Sequence, residues 1–175
     1  MCTTVDRAVT LLTRSRFLTL ATSDPADRTG PWVATVRYVV SDTGTLLFGS
    51  VLDARHSRHI EAQPQVAATV WHLGADPEVT DSVQMHGWCT RVPADEAPRL
   101  HEQLLAKGFP NPDTRAEALS GLPLARFQPG GTHRLYTITP TDCWVRDKTA
   151  WHQTHIDRRI KVPTDNLINR LRAVR

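Results

Sequence analysis

The residues best suited to chemistry gather where a strand-like run, TLLFGS (45–50), gives way to an amphipathic run, ARHSRHIEAQP (54–64). Ser50 closes the first run, and Arg55 and His56 fall in the first turn of the helix that the second run predicts. A helix start offers unpaired amides and a partial positive charge. An arginine adds a planar fork that matches phosphate oxygens, and a serine hydroxyl adds a further donor. Ser50, Arg55 and His56 thus form a candidate phosphate cradle, although the same residues also suit a cationic helix lying on the surface.

The other reactive side chains carry weaker signals. His56 and His59 share a helix face but lack a third ligand nearby. His152 and His155 have the same spacing, in a segment (150–157) that reads as a last strand or extended arm, where they would point to opposite faces. No metal site is expected. His72 and His86 sit in predicted strands, either as axial haem ligands or as ordinary hydrogen-bonded histidines. Cys2, Cys89 and Cys143 are an odd number at no metal-like spacing, so neither a disulfide framework nor a structural zinc is expected. Cys89 reads as core filler. The chain has no nucleophile elbow, P-loop or dinucleotide fingerprint.

These side chains need a scaffold. Residues 4–16 place Val5, Ala8, Val9, Leu11 and Leu12 at helical spacing. FLTLAT (17–22), WVATVRYVV (32–40) and TLLFGS form a three-strand meander, joined by the polar loop SDPADRTG and the turn SDTG. A short helix over 53–63, with Asp53 as a candidate cap, stops near Pro64. QVAATVWHL (65–73) and SVQMHGWCTRV (82–92) are two more strands, with Gly87 marking a bulge or a close backbone approach. A helix over about 95–107 uses Leu100, Leu104 and Leu105 as its apolar face. A Pro- and Gly-rich stretch (109–131) reads as irregular, with one short helix around 114–119. RLYTITP (134–140) and DCWVRD (142–147) are strand-like. Strands at this spacing, with few helices between them, predict a mainly β (α+β) antiparallel barrel decorated by helices, not a doubly wound sheet.

At 175 residues the chain suits a single domain, 1–175, with a substantial core. The net charge of +3 is mild. Much of the excess lies in a basic tail (158–175), where Arg158, Arg159, Lys161, Arg170, Arg172 and Arg175 face only Asp165. The tail reads as a solvated helix face, and it lacks the aromatic interleaving of a nucleic-acid binder. No apolar run approaches the roughly 20 residues that cross a bilayer. The opening residues MCTTVDRAV lack a secretion signal's apolar stretch, so the expected location is the cytoplasm.

FLTLAT, GPWVATVRYVV, LLFGS, ARHSRHIEAQPQVAATVW and VQMHGWCTRV, in this order, resemble the pyridoxamine 5'-phosphate oxidase-like family of FMN-binding split β-barrels. The resemblance implies a homodimeric split barrel with FMN in the dimer seam. It implies that Ser50, Arg55 and His56 hold the cofactor phosphate, with His56 where the family usually has a lysine. Thr35, Val36 and Arg37 would frame the flavin ring, and Trp144 would pack beside the cofactor across the seam, unless it is simply core. His56 in the lysine place implies a weaker hold on FMN or a preference for another cofactor, and the absence of a clear Arg–Lys pair in WVATVRYVV argues against pyridoxamine-phosphate oxidase activity itself. The function expected is an FMN-dependent oxidoreductase acting on a small molecule. The alternatives are an F420-dependent reductase of the same fold, or a haem- or flavin-binding sensor or regulator without turnover.

Overall fold

A computed structural model describes residues 3–26, 28, 30–72 and 81–174. Cys2, Leu73, Arg175 and parts of the 23–30 loop, which entered the expectations above, lie outside them. Eight antiparallel strands form one sheet: β1 (Phe17–Thr22), β2 (Trp32–Arg37), β3 (Val39–Val40), β4 (Leu46–Val51), β5 (Gln65–His72), β6 (Asp81–Arg91), β7 (His133–Arg146) and β8 (Arg159–Val162). Their order is β2-β1-β5-β6-β7-β4-β3, with β8 beside β7. The two terminal strands of this path, β2 and β3, are separated in sequence by Tyr38 alone. That connection brings the ends of the sheet together, which is the curvature of a split barrel. Tyr38 fixes the crossing: its buried hydroxyl donates to the Leu12 carbonyl at 2.8 Å.

Alternation builds the core. Leu18 and Leu20 on β1, Val66, Ala68 and Val70 on β5, and Val83 and Met85 on β6 all point inward. Helix α1 (Thr4–Arg14) and helix α6 (Thr164–Arg172) close this core with Ala8, Leu11, Leu12, Leu167 and Leu171. The other face of β4 and β7 is also covered. Leu47 and Leu135 pack there with Leu100 of helix α3 (Ala97–Gly108) and with Phe127 of a 3-10 turn, Leu124–Phe127. Burial on both faces explains the continuous apolar run in TLLFGS.

The helix expected near residue 114 is α4 (Pro112–Gly121), capped by the Asn111 side chain, which accepts from the Asp113 and Thr114 amides. Gly87 sits at the expected irregularity: the β6–β7 register shifts between His86 and Gly87. A side chain at Gly87 would place its Cβ 2.7 Å from the Thr139 carbonyl oxygen. The same bulge lets Pro140, which has no N–H to donate, lie within β7, so the two strands expected over 134–147 are one.

Three expectations are corrected. Asp53 does not cap helix α2 (Arg55–Ala62); Ala54 is the N-cap residue, with no side-chain hydrogen bond, because Asp53 stands one residue too early. The segment 150–157 is not a strand but carries most of helix α5 (Lys148–Thr154), because the Asp147 carboxylate accepts from the Ala150 amide and starts a helix there. The basic tail is not merely a solvated helix. It supplies β8 and α6, with Val162, Leu167 and Leu171 fully buried. Its cations largely have local partners: Arg158 pairs with Asp147, Lys161 with Asp142 and Arg170 with Asp6.

Candidate flavin-binding cleft

Helix α2 begins with its first turn uncapped by any side chain, beside the end of β4. Its first residues fold back onto that strand through hydroxyl contacts. The Ser50 Oγ lies 2.7 Å from His56 Nε2, and the Ser57 hydroxyl donates to Ser50 Oγ at 2.9 Å. Ser50 and Ser57 are buried. Burial lowers the His56 pKa below its ordinary value, and the neighbouring His59 lowers it further, so the imidazole is neutral at pH 7. This corner presents the Ser50 hydroxyl, an imidazole and helix amides, a donor set suited to phosphate.

From this corner a cleft of about 390 Å³ runs between β2 and the α3–α4 region. Thr35, Val36 and Arg37 line one wall; Leu104, Phe109, Leu122 and Phe127 line the other; Ser50, His56 and His133 close the polar end. The volume falls within the range of small-molecule sites. Gly49 lies beneath Phe127, where a Cβ would meet the ring carbon at 2.9 Å. Burial and the charge of Arg126 lower the His133 pKa as well. Arg37 donates to the Gly108 carbonyl and lies 4.0 Å over the Phe109 ring, while its buried Nε has no hydrogen-bond partner.

Five of the seven expected site residues (Thr35, Val36, Arg37, Ser50 and His56) thus line one cleft. The other two stand elsewhere in the single chain. Arg55 turns toward the start of β2, its guanidinium 4.8 Å above the Trp32 ring and 3.4 Å from the Gly30 carbonyl. Trp144 lies on the outer face of the sheet, edge-on to His86 at 5.2 Å, in a recess it shares with Thr19, Ala21 and Thr69. His72 and His86 are also exposed. Among the described residues no three His, Cys, Asp or Glu side chains could hold a metal ion. Leu104 and His133 carry no local signal as site residues, because only tertiary packing brings them to the cleft.

The polar corner, the apolar walls and the orphaned Arg37 N–H fit a cofactor with a phosphate arm and a planar ring. The sequence profile of the pyridoxamine 5'-phosphate oxidase family matches residues 4–127, more than half the chain. The chain belongs to that family. Solved structures share its fold. A haem-binding protein from Mycobacterium smegmatis is 16% identical with a TM-score of 0.65, over 95% of this chain and 60% of that one. An FAD-binding protein from Mesorhizobium loti is 19% identical with a TM-score of 0.56, over 79% and 89%. An F420 reductase is 20% identical with a TM-score of 0.52, over 77% and 93%. The chain spans 60% of the mycobacterial protein's length, and at these identities the likeness shows the fold alone. No curated protein matches the sequence significantly.

Proposed function

We propose that the chain is an FMN-dependent oxidoreductase that works on a small molecule, as a homodimer in the cytoplasm. The observation that carries the reading is the cleft itself, in which a phosphate-like donor corner and an unpaired arginine N–H lie on one apolar slot. Ser50, His56 and the α2 amides hold the phosphate, with Arg55 approaching from the β2 side. Thr35, Val36 and Arg37 frame the ring. Bound flavin supplies the electron transfer; the protein orients it, excludes water with Phe109, Leu122 and Phe127, and donates from Arg37.

The dimer reading rests on the outer face of the sheet, which the described residues leave exposed. Phe17 and Val33 are more than half exposed, and so is Trp71. Outward alternation puts all three on the same face as Thr35 and Trp144. A two-fold partner seated there buries apolar surface and adds the partner subunit's Trp144 to the cofactor's surroundings. Buried, unpaired Cys89 and Cys143 suit a reducing compartment.

The test is anaerobic reduction of the FMN-loaded protein by NADPH or NADH, followed by reoxidation with small organic acceptors. Bleaching of the flavin band by a nicotinamide donor, and its return on adding an acceptor, is the expected result. FMN that binds but is neither reduced by a donor nor reoxidised by anything except oxygen would replace the enzyme reading with a sensor or regulator.

A further inference from the structure

Arg37 stands where three recesses meet. It lines the flavin cleft, and with Gly108 it also lines a pocket under the end of α1 and a groove of about 690 Å³ along α4. Arg16 lines both of the latter, and its guanidinium reaches the Gly108 carbonyl that Arg37 also uses. Two guanidiniums are thereby held together at the C-terminal end of α3. Arg14 and Lys107 complete the basic side of the pocket.

The charges are not balanced internally. Lys107 is answered by Asp42 at 2.5 Å. Among the described residues no carboxylate pairs with Arg14, Arg16 or Arg37, and Glu117, the acid on the groove, makes no ion pair with them. Burial chiefly, and the charge of Arg16 after it, press the Arg37 pKa downward. The Arg37 Nε is buried and unpartnered. One shared carbonyl explains why the two side chains gather at a helix C-terminus, but it leaves most of their donors and two positive charges unanswered.

The rest of the groove is shaped for an organic body. Phe109, Pro110, Ala118 and Leu122 form an apolar wall, and Asn111 and Thr114 add polar groups. Phe109 and Leu122 also line the flavin cleft, so the two spaces share a wall.

We propose that this groove is the substrate site and that the substrate is an organic anion, its carboxylate or phosphate held by Arg16 and Arg37 and its apolar body lying along α4 beside the cofactor cleft. The proposal rests on the cofactor reading for the role of the ligand, but not for the existence of the site. An anion there relieves the arginine–arginine repulsion. A neutral analogue of the same shape does not, so discrimination comes from the two unpaired positive charges.

The test is a calorimetric titration of apoprotein and FMN-loaded protein with benzoate, phenyl phosphate and the neutral benzamide, at low and moderate salt. Benzoate or phenyl phosphate should bind in preference to benzamide, and more weakly as salt rises. The Arg16→Gln variant should weaken anion binding by about fivefold or more, Arg16→Lys should restore part of it, and FMN affinity should stay unchanged in both. Anion binding by a protein that refuses FMN would keep the site and sink the flavin reading. Equal binding of benzamide, or anion binding indifferent to Arg16→Gln, would overturn the proposal. So would anions that bind only the apoprotein and compete with FMN, because the arginines would then serve the cofactor.

Discussion

His56 sets the character of the phosphate corner. A lysine there would carry a full charge at pH 7, whereas a half-buried imidazole against Ser50, with His59 behind it, is held neutral. Bound phosphate favours the protonated imidazole, so the His56 pKa rises in the complex and FMN binding takes up a proton. Affinity should therefore increase as pH falls from about 8 toward 6.5, before the phosphate's own protonation near pH 6 opposes it. Fluorescence titrations across that range should show this slope, and His56→Gln should flatten it. His56→Lys should tighten FMN by about tenfold at pH 7.5, the worth of one charged hydrogen bond. At this scale the sequence was informative about residue type and less so about direction. Ser50 and His56 meet as their spacing suggested, but Arg55 lies on Trp32, because an aromatic face at the start of β2 offers it a cation–π contact that no local pattern reveals.

The elements that carry the site are those with the strongest local signals. FLTLAT and QVAATVW alternate cleanly and emerge as β1 and β5 nearly at their expected bounds. Gly87 was legible because a glycine inside a strand pattern marks either a bulge or a crowded backbone, and here it marks both. Gly87→Ala should cost about 1–3 kcal/mol, since its new methyl meets backbone that cannot swing aside. Urea denaturation should show a lower midpoint with an unchanged slope. Phe48, fully buried and stacked 5.5 Å from Tyr136, joins β4 to β7 behind the cleft, and Phe48→Ala should cost about 3–5 kcal/mol. The elements that local patterns misplaced owe their form to tertiary partners. Helix α5 depends on Asp147, whose carboxylate both caps the helix and pairs with Arg158. β8 is too short to declare itself, and it forms because β7 offers an open edge with register Cys143 to Val162.

At the scale of the whole molecule, the path from β2 to β3 through Tyr38 makes this a barrel rather than an open sheet, and it puts Thr35 and Arg37 at the rim of an uncovered apolar face. Strand spacing pointed to an antiparallel barrel, but the packing of α3, α4 and the 3-10 turn into a wall of the cleft came only from long-range contacts. If a second copy covers the outer face, Trp71→Glu should shift sedimentation velocity from dimer to monomer and weaken FMN binding in parallel, leaving the circular dichroism spectrum intact. A monomeric wild type at micromolar concentration would confine the site to one chain.

The most direct test of the flavin cleft is an absorption titration of the purified protein with FMN, with F420 and haem as parallel arms, in the wild type and in Ser50→Ala. A saturable, red-shifted FMN spectrum at one flavin per chain, weaker in Ser50→Ala, is the expected result. A Soret band in place of FMN binding would move attention to His72 and His86, preferential F420 binding would change the cofactor, and no binding by any of the three would overturn the assignment of the cleft to a cofactor.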